Sequence, residues 1–311
     1  MALRIAIFGQ APFGRDVAER LAEAGHEIVG VYVPPDEGRP DPLGALAEER
    51  RWPLFRHKRF RRKAKAIPEL VEEYRGLGAD LNVLPFTTVI LPPEIVDGPQ
   101  HGSLVFHPSL LPAFRGGAAL SWQIIMGATE SGVTVFRADA GVDTGPIVVQ
   151  RGGVTIEPTD TMGSLYFDKL YAMGVEATVE AVATVGEGRA KYRPQGKVGA
   201  SEQGLVTNEV ARIDWARSAG DVERLIRACD PSPGAWAEID GEQVRFFGAS
   251  MCPKYRDRAA GALLGSVLGV QKGALVLAAN GGAVSVAKLR RGTGKKVPSG
   301  ESGIAPEACF D

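Results

Sequence analysis

Cysteine is scarce in this chain. Cys229, Cys252 and Cys309 are odd in number, far apart and in no CxxC pair, which argues against both a disulfide framework and a cysteine zinc site. Neither sign of charge is in excess, with 36 lysines and arginines against 37 aspartates and glutamates. Net charge therefore offers nucleic acid or an anionic membrane no general attraction, and any basic patch has to be local. No apolar run approaches the roughly 18 residues of a membrane span. The opening MALRIAIFG runs straight into a glycine turn rather than a signal cleavage site, so a reducing cytoplasm is the expected compartment. What is present, 311 residues of which 44% are hydrophobic, suffices for a sizeable core and two domains.

Leu3 to Phe8 is a short apolar run ending at Gly9. Beyond GQAPFG, Val17, Leu21 and Ala24 keep helical spacing, and Glu27 to Val33 is a strand rich in β-branched residues. That βαβ opening implies a parallel sheet. Further strands are expected over 81–84, 103–106, 132–136 and 147–150, with helices near 42–50, 67–75 and 118–126. The fold class that follows is α/β, a doubly wound, mostly parallel, Rossmann-like sheet covered on both faces. A long amphipathic helix is expected over 161–186, and AKYRPQGKVGASEQG after it reads as a polar linker. From Val206 one helix and short strands with turns at Asp240-Gly241 and Gly281-Gly282 predict a compact OB-like β-barrel. The expected domains are 1–203 and 204–311.

Three stretches bear on chemistry. The turn Gly9 to Gly14 follows a strand and opens a helix, yet it lacks a G-x-G core, and Asp36 lies well past the end of the second strand. NAD is therefore not expected there, and the turn reads as a tight connection bordering a ligand. The run from Arg50 to Ala66 holds nine lysines and arginines and no acid, interleaved with Trp52, Phe55 and Phe60. A solvated helix or loop face explains such a run, and an anionic or carrier-protein partner at 50–65 is the alternative. The third stretch, LVFHPSLLPAFRGG, ends a strand at His107, and the acidic loop RADAGVDTG (137–145) ends another. Two loops at the carboxyl ends of strands can share one crevice, where a histidine and a carboxylate make a general acid/base pair. On pattern alone, a structural histidine bonded to a turn carbonyl is the other explanation.

HPSLLPAFRG followed by GVDTG resembles the signature of enzymes that use 10-formyltetrahydrofolate, among them methionyl-tRNA, glycinamide ribonucleotide and sugar formyltransferases. IAIFGQAPFG, LGADLNVLPF and IDWARSAGDVERLIRACDPSPGAW extend the likeness over nearly the whole chain, most closely to the hydrolase domain of 10-formyltetrahydrofolate dehydrogenase. The transferases carry Asn-x-His before the Ser-Leu-Leu-Pro turn. Here Val105 stands at the asparagine position, as an aliphatic residue does in that hydrolase domain. The resemblance implies hydrolysis of 10-formyltetrahydrofolate to tetrahydrofolate and formate. The alternatives are transfer of the formyl group to an amine and folate binding without turnover.

By the same resemblance Asp143 is the general base, and a protonated His107 stabilises the oxyanion and protonates N10. Ser109 and Thr144 are candidates to orient these side chains, with turn capping as the alternative for Ser109. The pterin is expected against Leu84, Pro85, Phe86 and Ile90. Main-chain groups of the loop Asp139, Ala140, Gly141, Val142 would read its polar edge, and Gln10 would border the crevice. No metal is implied. Neither the carrier-protein segment nor the aldehyde dehydrogenase domain of the full dehydrogenase lies within these residues, so oxidation with NADP is not expected of this chain.

Overall fold

The computed structural model describes residues 1–311. They form two compact units, one of residues 1–117, 132–153 and 170–202, the other of 118–131, 154–169 and 203–311. No helix is long and apolar enough to cross a membrane.

The first unit is built on a seven-stranded sheet. In chain order its elements are β1 (Arg4–Phe8), α1 (Ala11–Glu23), β2 (Glu27–Val33), α2 (Pro42–Arg50), β3 (Leu54–Arg56), the two-stranded hairpin β4 (Arg61–Arg62) and β5 (Lys65–Ala66), α3 (Pro68–Arg75), β6 (Leu81–Leu84), α4 (Pro93–Val96) and β7 (Ser103–His107). After α5 (Ala119–Ile125), which belongs to the second unit, come β8 (Glu130–Arg137) and β9 (Ile147–Thr155). The strand order is β3-β2-β1-β6-β7-β8-β9. The chain thus winds outward in both directions from β1, and β1 beside β6 is the switch point at which open α/β sheets bind ligands. The β1–β2, β2–β3, β1–β6 and β6–β7 pairs are parallel, whereas β7–β8 is antiparallel.

Side chains of α1 that keep the 3.6-residue spacing, Phe13, Val17 and Leu21, are buried. One carboxylate starts two helices. Asp41 caps α2 by accepting from Leu43 N and Gly44 N, and its other oxygen takes the N–H of Ala11 at 2.7 Å. The amino end of α1, where a dinucleotide phosphate would sit, is thereby met by the chain's own anion.

The basic run differs from a solvated helix or loop face. Its residues 54–56 add the edge strand β3, residues 61–66 form the β4–β5 hairpin, and Phe60 is buried against Phe8 and Tyr32. Nine cations concealed a strand and a core aromatic, because pairing with β2 and burial beside Phe8 are long-range events. The stretch 161–186 is not one uniform helix either. It comprises α6 (Met162–Ser164), a π-helical turn Leu165–Leu170, and α7 (Tyr171–Gly186).

In the second unit α8 (Ala219–Ala228) lays Val222 and Ile226 on a core with Trp215, Phe246 and Phe310. The strands are β10 (Ala235–Ile239) and β11 (Glu242–Met251), then, after the short helix α9 (Arg256–Ala260), β12 (Val267–Gln271), β13 (Ala274–Ala279), β14 (Gly282–Arg291) and β15 (Val297–Pro298). Both predicted hairpins form, β10–β11 and β13–β14. The expected OB-like barrel does not. The sheet runs β10-β11-β14-β13-β12, with β15 on β14, and no pairing joins β10 to β12. Turn residues encode hairpins locally, whereas closure depends on pairing between distant strands.

Candidate active site

β7 delivers His107 at its carboxyl end, where the residue is 5% exposed. The segment after it turns through Ser109 to Gly117. Its Phe114, at φ +59, presents a carbonyl that accepts from Nε2 of His107 at 2.7 Å. A carbonyl only accepts, so the ring hydrogen lies on Nε2, and Nδ1 faces Oδ2 of Asp143 at 3.4 Å. With the ring neutral, Nδ1 offers Asp143 only a lone pair, and a proton taken up on Nδ1 turns the contact into a charge-assisted hydrogen bond, so Nδ1 is where the pair can accept a proton. Burial pushes the His107 pKa below its ordinary 6.5, against the opposing pull of Asp143 and the Phe114 carbonyl. The standing imidazolium expected from the sequence is therefore disfavoured in the free protein.

Asp143 does not arrive as the sequence implied. Because β8 is antiparallel to β7, with Arg137 beside Leu104 and Thr134 beside His107, the loop 138–145 leaves from the amino end of β7. The loop climbs back, and Asp143, in the left-handed region at φ +52, meets His107 and accepts the backbone N–H of Gly116 at 2.7 Å on Oδ2. At the foot of the loop Gly145 passes so close to Arg137 that a β-carbon would lie 1.8 Å from its carbonyl oxygen. Asp139 organises the tip, accepting from Gly141 N at 3.0 Å and from Thr144 Oγ1 at 2.6 Å. Thr144 thus bonds Asp139 and not its neighbour Asp143. Asp139, Ala140, Gly141 and Val142 are exposed.

Ser109 is fully buried and orients no side chain of the pair. Its hydroxyl donates to Ala113 O at 2.7 Å, and its carbonyl accepts from Thr134. Leu84, the last residue of β6, and Pro85 after it are buried, Leu84 in the core with Phe8, so neither offers an open face. Phe86 (42% exposed), Ile90 (72%) and Val142 (55%) are apolar side chains left in solvent. Gln10 and Phe86 line one narrow cleft with Tyr32, His57 and Phe60, and neither His107 nor Asp143 belongs to it. No group of three or more His, Cys, Asp or Glu side chains is placed to hold a metal ion.

The sequence reading missed Gln195. This residue of the supposed linker donates from Nε2 to the carbonyls of Asp143 and Gly145, both at 2.8 Å, and accepts from the Arg115 guanidinium. Nearby, Ser201 takes the N–H of Phe114 on its hydroxyl, and its carbonyl takes that of Arg115. Only the proline and glycine of that stretch were visible as signals, and they mark a non-regular backbone whether or not it carries contacts.

Residues 3–182 match the formyl transferase family and residues 205–302 the formyl transferase C-terminal domain. The chain is 42% identical over 306 residues to the mitochondrial 10-formyltetrahydrofolate dehydrogenase of Homo sapiens, covering 96% of this chain and 33% of that one, a third of its length. It is 34% identical over 306 residues to the methionyl-tRNA formyltransferase of Dinoroseobacter shibae, covering 96% of each. Among solved structures, HypX from Aquifex aeolicus in complex with tetrahydrofolic acid shares the fold at a TM-score of 0.70 with 24% identity, over 98% of this chain and 49% of that one. WlaRD, a sugar 3N-formyl transferase, shares it at 0.67 with 18% identity, over 92% and 97%.

Proposed function

The chain belongs to the formyl transferase family, and from that premise we propose that it hydrolyses 10-formyltetrahydrofolate to tetrahydrofolate and formate at the His107–Asp143 pair. Val105 carries this reading. It lies two residues before His107 on β7, and side chains alternate along a strand, so the two share a face. There Val105 packs against Leu111, Phe136 and Ile147. It offers methyl groups where the transferases resembled by this sequence offer an amide to hold the formyl group for an amine. Water then becomes the acceptor.

With Gly116 and His107 both on Oδ2, Oδ1 of Asp143 is left for the water. The water oxygen attacks the formyl carbon as its proton passes to the Asp143–His107 unit. The imidazolium that forms at that moment opposes the oxyanion growing on the formyl oxygen. Collapse breaks the bond from carbon to N10, the unit returns the proton to N10, and formic acid leaves, giving up its remaining acidic proton to solvent as formate. The exposed Phe86, Ile90 and Val142 supply apolar cover for the pterin, and main-chain groups of 139–142 its polar edge. Gln10 borders the same end of the sheet. The exposed Lys58, Arg59, Arg62, Lys63 and Lys65 are assigned the carboxylates of the folate tail or of an acidic carrier segment.

The deciding experiment is a time course of 10-formyltetrahydrofolate consumption by the purified chain with formate quantified, beside D143A and H107A. Formate rising in step with folate loss, and absent in both variants, supports hydrolysis. Folate that binds but stays formylated until an amine is supplied establishes transfer instead.

A further inference from the structure

We propose that Gln195 is a positioning residue for Asp143, holding the carboxylate loop against His107 through the main-chain carbonyls of Asp143 and Gly145. Asp143 has a left-handed backbone at φ +52, a conformation that costs a residue bearing a β-carbon energy, less for aspartate than for most, and that neighbouring contacts help to hold. Gln195 supplies such contacts. A primary amide has two N–H donors, and both are engaged, on Asp143 O and Gly145 O at 2.8 Å each. Its Oε1 accepts from one edge of the Arg115 guanidinium, 2.7 Å from Nη2 and 3.2 Å from Nε.

These contacts close a ring. Arg115 is followed by Gly116, whose N–H holds Asp143 Oδ2, so backbone and side chain of the same aspartate are tied to neighbouring residues of one segment. Ser201, six residues beyond Gln195, donates its N–H to Pro112 O, accepts Arg115 N on its carbonyl and accepts Phe114 N on its hydroxyl. Phe114 in turn holds Nε2 of His107. Residues 195–201 are therefore a strap over both members of the pair. The strap needs a side chain that donates toward the loop and accepts from the arginine. Glutamate at 195 keeps the second function and loses the first.

The inference rests on His107 and Asp143 being the reacting pair, and on neither water nor an amine as acceptor. Its test compares wild type, Q195E and Q195A in formyl-folate consumption with and without an amine pool, alongside NMR titration of the His107 ring. A loop loosened by about an ångström costs up to roughly 100-fold in turnover. Q195E, with the Arg115 bond retained, is expected to lose about 10- to 100-fold in kcat with KM held within about threefold. In Q195A the His107 titration is expected to move to lower pH as Asp143 withdraws its attraction. Wild-type turnover in Q195E, or a His107 titration unmoved in Q195A, overturns the proposal and leaves Gln195 a tie of the strap alone. Should wild type release no formate in either assay, hydrolysis fails as a reading, while the His107 titration still decides the role of Gln195.

Discussion

Gly116 donates its backbone N–H to Oδ2 of Asp143 at 2.7 Å, the oxygen that also lies 3.4 Å from Nδ1 of His107. The carboxylate is thus gripped by a main-chain group that no side-chain substitution removes, and a neutral amide at 143 still offers an oxygen to it. D143N is expected to fold and to bind tetrahydrofolate within a few-fold of wild type, while turnover falls by about 10²- to 10⁴-fold, the worth of a general base. Calorimetric titration with tetrahydrofolate beside kcat checks this. Activity above a tenth of wild type would remove Asp143 from the base role.

Acidification should destabilise the protein through the buried His107 and the partly buried His26. His107 is lowered below 6.5 by burial, and His26 is lowered by burial and by the nearby amino terminus. Below pH 6.5 the unfolded chain takes up protons that the folded chain refuses, so stability is full above that value and lost as pH falls through the folded pKa values. Thermal midpoints from pH 8 to pH 5 should fall on the acid side, and H107N should show a shallower slope. An equal slope in H107N would mean that His107 does not enter the linkage.

Asp41 couples two helix starts. Removing a capping carboxylate costs about 1 kcal/mol, up to 2, and D41A loses the cap of α2 together with the bond to Ala11 N at α1. A loss near the upper end of that range in urea unfolding is expected. D41N, which keeps one acceptor oxygen, should lose less. Equal losses in the two variants would show that the bond retained in D41N contributes nothing of its own.

Gly174 lies inside α7, where glycine is ordinarily about 1 kcal/mol worse than alanine. A β-carbon there would come within 2.5 Å of the Phe106 ring and 3.1 Å of Phe13. The usual sign should therefore reverse, with G174A lowering the thermal midpoint. A midpoint raised by G174A would show that the two rings move aside at little cost.

Much of both units was legible where the signals are local. Apolar runs ending in Gly9 and at His107, helical spacing in α1, and the Asp240-Gly241 and Gly281-Gly282 turns each report on neighbours a few residues away. The edge strand β3 was hidden, since its three residues Leu54–Arg56 acquire strand character only by pairing with β2. The barrel expectation failed for the same reason.

His107 and Asp143, which stand 3.4 Å apart, could be proposed as a pair from the sequence because the family motifs that carry them are written in it. How they meet could not. The antiparallel β8 sends the 138–145 loop off at the far end of β7, and only the return of the chain, the left-handed turn at Asp143 and the grip of Gln195 bring the carboxylate to the ring. Sequence determined which groups are available to the candidate site. Tertiary structure decided their distance, the burial that disfavours the imidazolium, and the conversion of a glycine-bearing stretch into a strap, because each depends on contacts between segments that sequence separation does not encode.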